Sequence, residues 1–257
     1  MSLKTLLGRI WIGWAGLWFI STFIILYPLF FIWLNIPALY RIGHFQRRIW
    51  GILTCLPAGL FPMITKETDL PVGRRRVYCV NHSSYLDILT AGTYLPGFNF
   101  FMAKMELSKV PLFKIWFKSL DIPVQRDKIR SSHKAFVDAG IQFNNGIDMI
   151  IFPEGKIPAD APQLGPLKAG AFKLAIEKGA LIVPVTLPDN YKRLDSNHWV
   201  GSPGRMRIHI HRPIDTTGLN IEDADALKEE VFHILENKLL DFGTIKDTYE
   251  NYKRKSG

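Results

Sequence analysis

The chain has 257 residues, 47% of them hydrophobic, and its 32 Lys and Arg outweigh 23 Asp and Glu to leave a net charge of +9. That size suits one sizeable domain plus an attachment, and the charge points to an anionic partner: nucleic acid, anionic lipid or a phosphorylated substrate. Zinc-ligand spacings and aromatic RNA-binding strands are missing, which leaves the usual nucleic-acid modules out, and two cysteines, Cys55 and Cys79, make no disulfide framework.

Residues 10–40 contain no charged side chain and are dense in Trp, Phe, Ile and Leu. A helix of that length, at ~1.5 Å per residue, could cross a hydrocarbon core of ~30 Å. No small-residue cleavage site follows, so it does not read as a signal peptide. A second apolar stretch, 49–64, is broken by Pro57 and Pro62, and Arg41, Arg47 and Arg48 lie between the two. Lys4 and Arg9 precede the first stretch, so positive charge flanks it on both sides and does not orient it. Two topologies follow: one span, or two helices dipping into a single leaflet, which is the preferred reading. The expected organisation is a membrane anchor of two apolar helices over 1–64 and a globular domain over 65–257.

Gly73-Arg74-Arg75-Arg76 is either a lipid-facing basic edge or a solvated turn. The apolar run Val77-Tyr78-Cys79-Val80 reads as a buried strand, followed by Asn81-His82-Ser83-Ser84-Tyr85-Leu86-Asp87 and a helical segment. His82 therefore stands where a strand ends, the place where ligands gather in α/β proteins. If the chain turns between them, Asp87 can orient the imidazole and His82 can take a proton from an attacking hydroxyl. The alternative is a helix-capping histidine and a solvated aspartate. Downstream, residues 98–104 read as a strand ending at Lys104, 112–120 as a helix, and 122–126 as a short strand ending at Arg126. Residues 131–145 suit a helix stopped by Asn144-Asn145-Gly146, and 149–152 a fully apolar strand leading into Pro153-Glu154-Gly155. A helix is expected from Leu167-Lys168-Ala169-Gly170 to about 177, and a strand over 181–185. Residues 205–211 alternate charged and apolar, the mark of a half-exposed strand. Its His209 and His211 share a face and read as solvated rather than as metal ligands. An amphipathic helix over 223–242 and a basic tail, Lys253-Arg254-Lys255, complete the chain. A Gly-x-Ser-x-Gly elbow, a Walker loop and a His-Glu-x-x-His motif are all missing from the sequence.

Asn81-His82-x4-Asp87 resembles the first motif of the glycerolipid acyltransferase family, which includes the lysophosphatidic acid acyltransferases. Lys104-Met105-Glu106-Leu107 is similar to a Lys-x-Glu-Leu segment of that family. Ile122-Pro123-Val124-Gln125-Arg126 resembles the second motif, with Leu120 where the family usually has Gly. Phe152-Pro153-Glu154-Gly155 resembles the third motif. There Lys156 and Ile157 replace the commoner Thr-Arg, and Glu-Gly-Lys with an aliphatic residue is also similar to the tafazzin branch. Leu167-Lys168-Ala169-Gly170-Ala171 and Leu181-Ile182-Val183-Pro184-Val185 resemble the segments that follow in the family's order.

The resemblance covers about 75–190. It implies an α/β fold with a mixed sheet flanked by helices, on an N-terminal membrane-anchoring helical segment. It implies acyl transfer from acyl-CoA or acyl carrier protein to the hydroxyl of lysophosphatidic acid, giving phosphatidic acid. His82 would be the general base and Asp87 its orienting partner. Lys104, Arg126 and Lys168 would hold the acceptor phosphate, Glu154 would help hold the acceptor or order the loop, and Gly155 would let the backbone of that substrate-binding loop approach closely. No metal or other cofactor is implied, the partners are the bilayer and the two substrates, and the expected location is the cytoplasmic face of the inner (plasma) membrane. A lyso-aminolipid O-acyltransferase, a phospholipid transacylase and a non-catalytic membrane-binding protein are the alternatives.

Overall fold

The computed structural model describes residues 2–111, 113–125 and 129–246. It begins with α1 (Leu3–Asn35), one helix of 33 residues whose first turn is capped by Ser2, the hydroxyl oxygen accepting the Thr5 N–H at 3.2 Å. Its inner face buries Gly8, Thr22, Phe23, Phe30 and Leu34, while Ile10, Trp14, Leu17, Ile24, Ile25 and Phe31 remain exposed. α2 (Tyr40–Cys55) returns alongside it, and Trp50 of α2 packs edge-on against Phe23 of α1 at 5.1 Å. The faces are close because a small residue permits it: a Cβ on Gly43 of α2 would collide with Leu34 of α1.

α2 differs from the expected second apolar helix. It is amphipathic and turns His44, Gln46 and Arg47 inward. Arg47 pairs with Asp121 at 3.1 Å and donates to the Asn99 carbonyl at 2.8 Å. Burial pushes the His44 imidazole down to about 3, with the nearby Arg47 acting in the same sense. The stretch 49–64 therefore divides. Its first part belongs to α2, and its last part is β1 (Leu60–Lys66), an edge strand of the main sheet. The turn between them uses Gly59 at φ +71. The expected boundary at 64/65 thus falls inside a strand.

The remaining elements are β2 (Arg76–Val80), α3 (Leu86–Tyr94), β3 (Asn99–Lys104), α4 (Lys114–Ser119), β4 (Ile122–Val124), α5 (Ile129–Asn144), β5 (Asp148–Ile151), α6 (Gly170–Lys178), β6 (Leu181–Thr186), α7 (Asn190–Arg193), the hairpin β7 (Leu194–Asp195) and β8 (Val200–Gly201), β9 (Gly204–Ile210) and α8 (Ala224–Asp241). Seven strands form one mixed sheet in the order β1-β9-β6-β2-β5-β3-β4, antiparallel only where β6 meets β9. Strands buried on both faces need apolar residues throughout, which is why β2, β5 and β6 read as unbroken apolar runs. Val77 and Cys79 face one core with Met149, Ile182 and residues of α5, α6 and α8; Tyr78 and Val80 face another with Ile150, Val183 and α3. β2 is central, with Cys79 opposite Ile151 of β5 and Pro184 of β6. The C-terminal ends of β2, β5 and β6 consequently emerge side by side.

Two expectations are corrected here. The three arginines form neither a lipid edge nor a free turn. Arg74 pairs with Asp215 at 2.8 Å, Arg75 donates to the Gly146 carbonyl at 2.6 Å, and Arg76 pairs with Asp148 at 3.4 Å. They tie together loops at the strand starts, away from His82. His209 and His211 are not solvated: their side chains are only 12% and 4% exposed, and both contact Glu67. Burial pushes His211 down to about 4. The basic tail at 253–255 lies outside the described residues.

Candidate active site

His82 leaves β2 and is fixed from three sides. Its backbone N–H donates to Glu154 Oε1 at 2.6 Å, its Nδ1 meets Asp87 Oδ2 at 3.0 Å, and its ring stacks on Phe152 at 4.2 Å between centroids. The chain reverses because Asp87, in the first turn of α3, accepts the backbone N–H groups of Ser83 at 2.7 Å and Ser84 at 2.8 Å. The same carboxylate that closes the turn therefore orients the imidazole. Its other oxygen accepts the Asn190 side-chain amide at 2.8 Å. With both oxygens occupied by donors and the side chain fully buried, Asp87 acts as an acceptor toward His82 Nδ1–H. That tautomer leaves Nε2 with its lone pair, and no described residue hydrogen-bonds to it.

β5 supplies the opposite wall. Glu154 is buried, and its second oxygen accepts the Gly165 N–H at 2.8 Å. Burial pushes Glu154 up to about 8, opposed by the two backbone donors. Gly155 holds φ +82, where a side chain would be strained, and a Cβ there would meet Lys168 Cε at 3.1 Å. The Lys168 stem thus crosses directly over Gly155, and its backbone N–H donates to Pro153 O at 2.9 Å.

The structure brings His82, Asp87, Glu154, Gly155 and Lys168 together. Lys104 ends β3 on the same rim, 65% exposed and 3.6 Å from Glu106. Arg126 lies outside the described residues. Sequence reasoning missed Asn190. Its only signal is position, in the Leu187-Pro188-Asp189-Asn190 turn just after β6. Asn81 fixes that turn by accepting the Leu187 N–H at 2.7 Å. Asn190 Oδ1 and Ser83 Oγ are buried at the site without a hydrogen-bond partner among the described residues.

An apolar cavity of about 440 Å³ lies beneath, lined from α1 by Trp11, Ala15 and Phe19, from α2 by Trp50, and from α3 by Leu86 and Leu89. Phe101 is also in its wall and stacks on Phe152 at 6.4 Å, so two aromatic layers separate it from His82. Tyr85 and Trp199, stacked at 6.0 Å and both more than half exposed, line it too.

Residues 62–188 match the Acyltransferase family model. The chloroplastic 1-acyl-sn-glycerol-3-phosphate acyltransferase of Arabidopsis thaliana is 28% identical over 193 residues, covering 72% of this chain and 52% of that protein. An uncharacterized acyltransferase of Schizosaccharomyces pombe is 32% identical over 191 residues, covering 71% of this chain and 68% of the relative. The chain spans about half the length of the plant relatives it matches. The crystal structure of the 1-acyl-sn-glycerophosphate acyltransferase PlsC from Thermotoga maritima superimposes with a TM-score of 0.75 at 19% identity, over 95% of this chain and 98% of that one. The match to the family model begins in β1 and ends just past β6, so it takes in every strand whose end contributes to the His82 pocket, and on these grounds the chain belongs to the acyltransferase family.

Proposed function

We propose that this protein is a membrane-associated 1-acyl-sn-glycerol-3-phosphate acyltransferase that moves an acyl chain from acyl-CoA or acyl carrier protein to lysophosphatidic acid. The observation that carries this reading is the oriented His82–Asp87 pair, with an apolar cavity beyond the Phe152 and Phe101 rings that is lined by the neighbouring Tyr85 and Leu86: a base for a hydroxyl and, within the same fold, a space for an alkyl chain. His82 Nε2 takes the proton of the acceptor hydroxyl as its oxygen attacks the thioester carbonyl. Collapse of the tetrahedral intermediate breaks the C–S bond, and the thiolate takes the proton from the imidazolium. Ester and free thiol result, and His82 returns neutral. Asp87 holds the tautomer and stabilises the transient imidazolium.

Lys104, Lys168 and Arg126 are the cations assigned to the acceptor phosphate, and Arg126 suits it through the two parallel hydrogen bonds of its planar fork. Glu154 keeps His82 in place through its backbone N–H. The exposed apolar face of α1 favours association with a membrane, and the cytoplasmic face is where both thioester donors would be met.

The test is thioester turnover by the purified full chain, with lysophosphatidic acid and a lyso-aminolipid as competing acceptors. His82→Ala is expected to fold, to bind membranes and to lose ~10²–10⁴ in rate. Wild-type turnover by that variant sinks the base assignment. Preference for the lyso-aminolipid sinks the acceptor assignment and leaves the acyl transfer standing.

A further inference from the structure

We infer that Glu67, His209 and His211 form a site for one divalent transition-metal ion of zinc-like preference, outside the acyl-transfer pocket. β9 presents His209, and His211 follows one residue past the strand's end at Ile210, two positions on, so the two rings lie side by side. Their centroids are 4.5 Å apart. β1 runs parallel to β9 and delivers Glu67 immediately after its last residue, Lys66, which pairs with Ile210. His209 Nε2 and His211 Nδ1 both lie against the same carboxylate oxygen, Glu67 Oε1, at 2.9 and 3.0 Å. One ligand atom from each residue lies within 4.8 Å of the other two.

Those separations are close to what an ion requires. Zinc takes imidazole nitrogen and carboxylate oxygen at ~2.0–2.2 Å, so tetrahedral ligand atoms stand about 3.3 Å apart. Opening the cluster by a few tenths of an ångström admits the ion. Two neutral imidazoles and a carboxylate are a donor set that zinc-like ions favour over hard cations such as calcium or magnesium.

The nitrogens turned away from the cluster are also provided for. His209 Nδ1 meets Thr65 Oγ1 at 2.8 Å and His211 Nε2 meets Thr186 Oγ1 at 2.9 Å. Each hydroxyl can accept the N–H of the tautomer that frees the inner nitrogen for a metal, the arrangement that usually orients metal-bound histidines. Glu67 Oε2 is held by the Arg212 N–H at 2.9 Å, which leaves Oε1 for the ion. Neighbouring cations are engaged elsewhere: Arg207 with Asp189 at 2.6 Å and Lys238 with Asp241 at 3.3 Å. Glu67 is more than a third exposed, so an ion can enter and a water can complete its shell. The ion would clamp the edge strand β1 to β9. Nothing routes the acyl transfer through it.

The experiment is titration of chelator-treated full-length protein with zinc chloride by calorimetry, and with cobalt chloride by visible absorption. One equivalent is expected, with a higher Tm on binding and the d–d bands of a four-coordinate cobalt site. His209→Gln and Glu67→Gln should weaken zinc at least ~100-fold, and Thr186→Val ~10–100-fold. His82→Ala should retain it, which separates this site from the catalytic histidine. The threonine variant removes no ligand, so it reports the site even if a ligand variant fails to fold. Absence of stoichiometric zinc uptake, or uptake unchanged in both ligand variants, overturns the proposal.

Discussion

At the scale of single residues, the site depends on Asp87 receiving four hydrogen bonds: from His82, Ser83, Ser84 and Asn190. One carboxylate oxygen, Oδ2, both closes the turn and selects the imidazole tautomer, so a substitution of Asp87 strikes both roles at once. Asp87→Asn keeps the volume but loses the charge that stabilises the imidazolium, and its amide oxygen can replace Oδ2 toward Ser83, Ser84 and His82 only with its NH2 turned against the Asn190 NH2. The expected outcome is kcat lower by ~10²–10⁴ with a smaller change in KM. A near-wild-type kcat would mean that His82 works without this partner. Glu154 gives a pH prediction. Its folded pKa is raised to about 8 by burial, above the ordinary carboxyl value of 4.5. Between those values the folded state holds more protons than the unfolded one, so stability falls as pH rises through that window. Wild type should therefore lose Tm relative to Glu154→Gln, an amide that keeps one acceptor and cannot ionise, as pH rises from 4.5 to about 8. Parallel Tm profiles for the two proteins would show that Glu154 does not titrate there. The His-x4-Asp spacing alone left a capping histidine as the alternative, and the motifs that follow it in order, such as Phe152-Pro153-Glu154-Gly155, pointed to the dyad. Asn190 was not legible, because only the pairing of β2 with β6 brings it to Asp87 from 103 positions away.

At the scale of elements, the strands were readable and the N-terminal segment was only half so. The runs at β2, β3, β5 and β6 announce themselves because a two-face burial leaves no place for a charge. The stretch 49–64 misled because a short apolar run does not tell a strand from a helix by its period. Pro57 and Gly59 mark the break, and what decides the outcome is the partner strand β9, 144 residues later in the register Thr65 to His209. α2 shows the same limit from the other side. Its arginines read as charges between two membrane segments, yet Arg47 is buried against Asp121 with side chains 7% and 9% exposed. Its guanidinium also lies over the rings of Phe101 and Trp116 at 5.3 and 5.1 Å. Removing one partner strands the other in the interior, so Arg47→Ala should destabilise by about 3–5 kcal/mol. The Arg47→Ala/Asp121→Ala double variant should lose clearly less than the sum of the two single losses, measured by denaturant unfolding. Additive losses would show that the pair does not act as a unit.

At the scale of the whole molecule, the proposed membrane association turns on α1. Among the described helices it alone is long and apolar enough to cross a membrane. At ~1.5 Å per residue it is about 50 Å long, well beyond a ~30 Å hydrocarbon core. Its contacts with the rest of the protein run nearly end to end. Gly8 fits against Val200 and Gly201 of β8, Trp11 Nε1 donates to the Ala58 carbonyl at 2.9 Å, Phe23 meets Trp50, and Phe30 meets Trp116 at 4.7 Å. A helix attached along its length cannot cross the bilayer unless the sheet domain goes with it. The face turned away from the domain, with Ile24 at 59% and Ile25 at 73% exposed, instead suits a helix lying in one leaflet. Both ends of α1 should then be reached from the same side. Cysteines introduced as Ser2→Cys and Asn35→Cys test this, since both positions are exposed at the helix ends. The native thiols will not interfere: Cys55 and Cys79 are fully buried, and burial raises both pKa values, Cys55 to about 12. In sealed vesicles, a membrane-impermeant maleimide should label the two introduced cysteines from one and the same side. In the same vesicles Ile24→Glu with Ile25→Glu should shift the protein toward the soluble fraction, because the charges replace the apolar surface that enters the leaflet. Labelling of the two ends from opposite sides would establish a span and require α1 to detach from β8 or from Trp116.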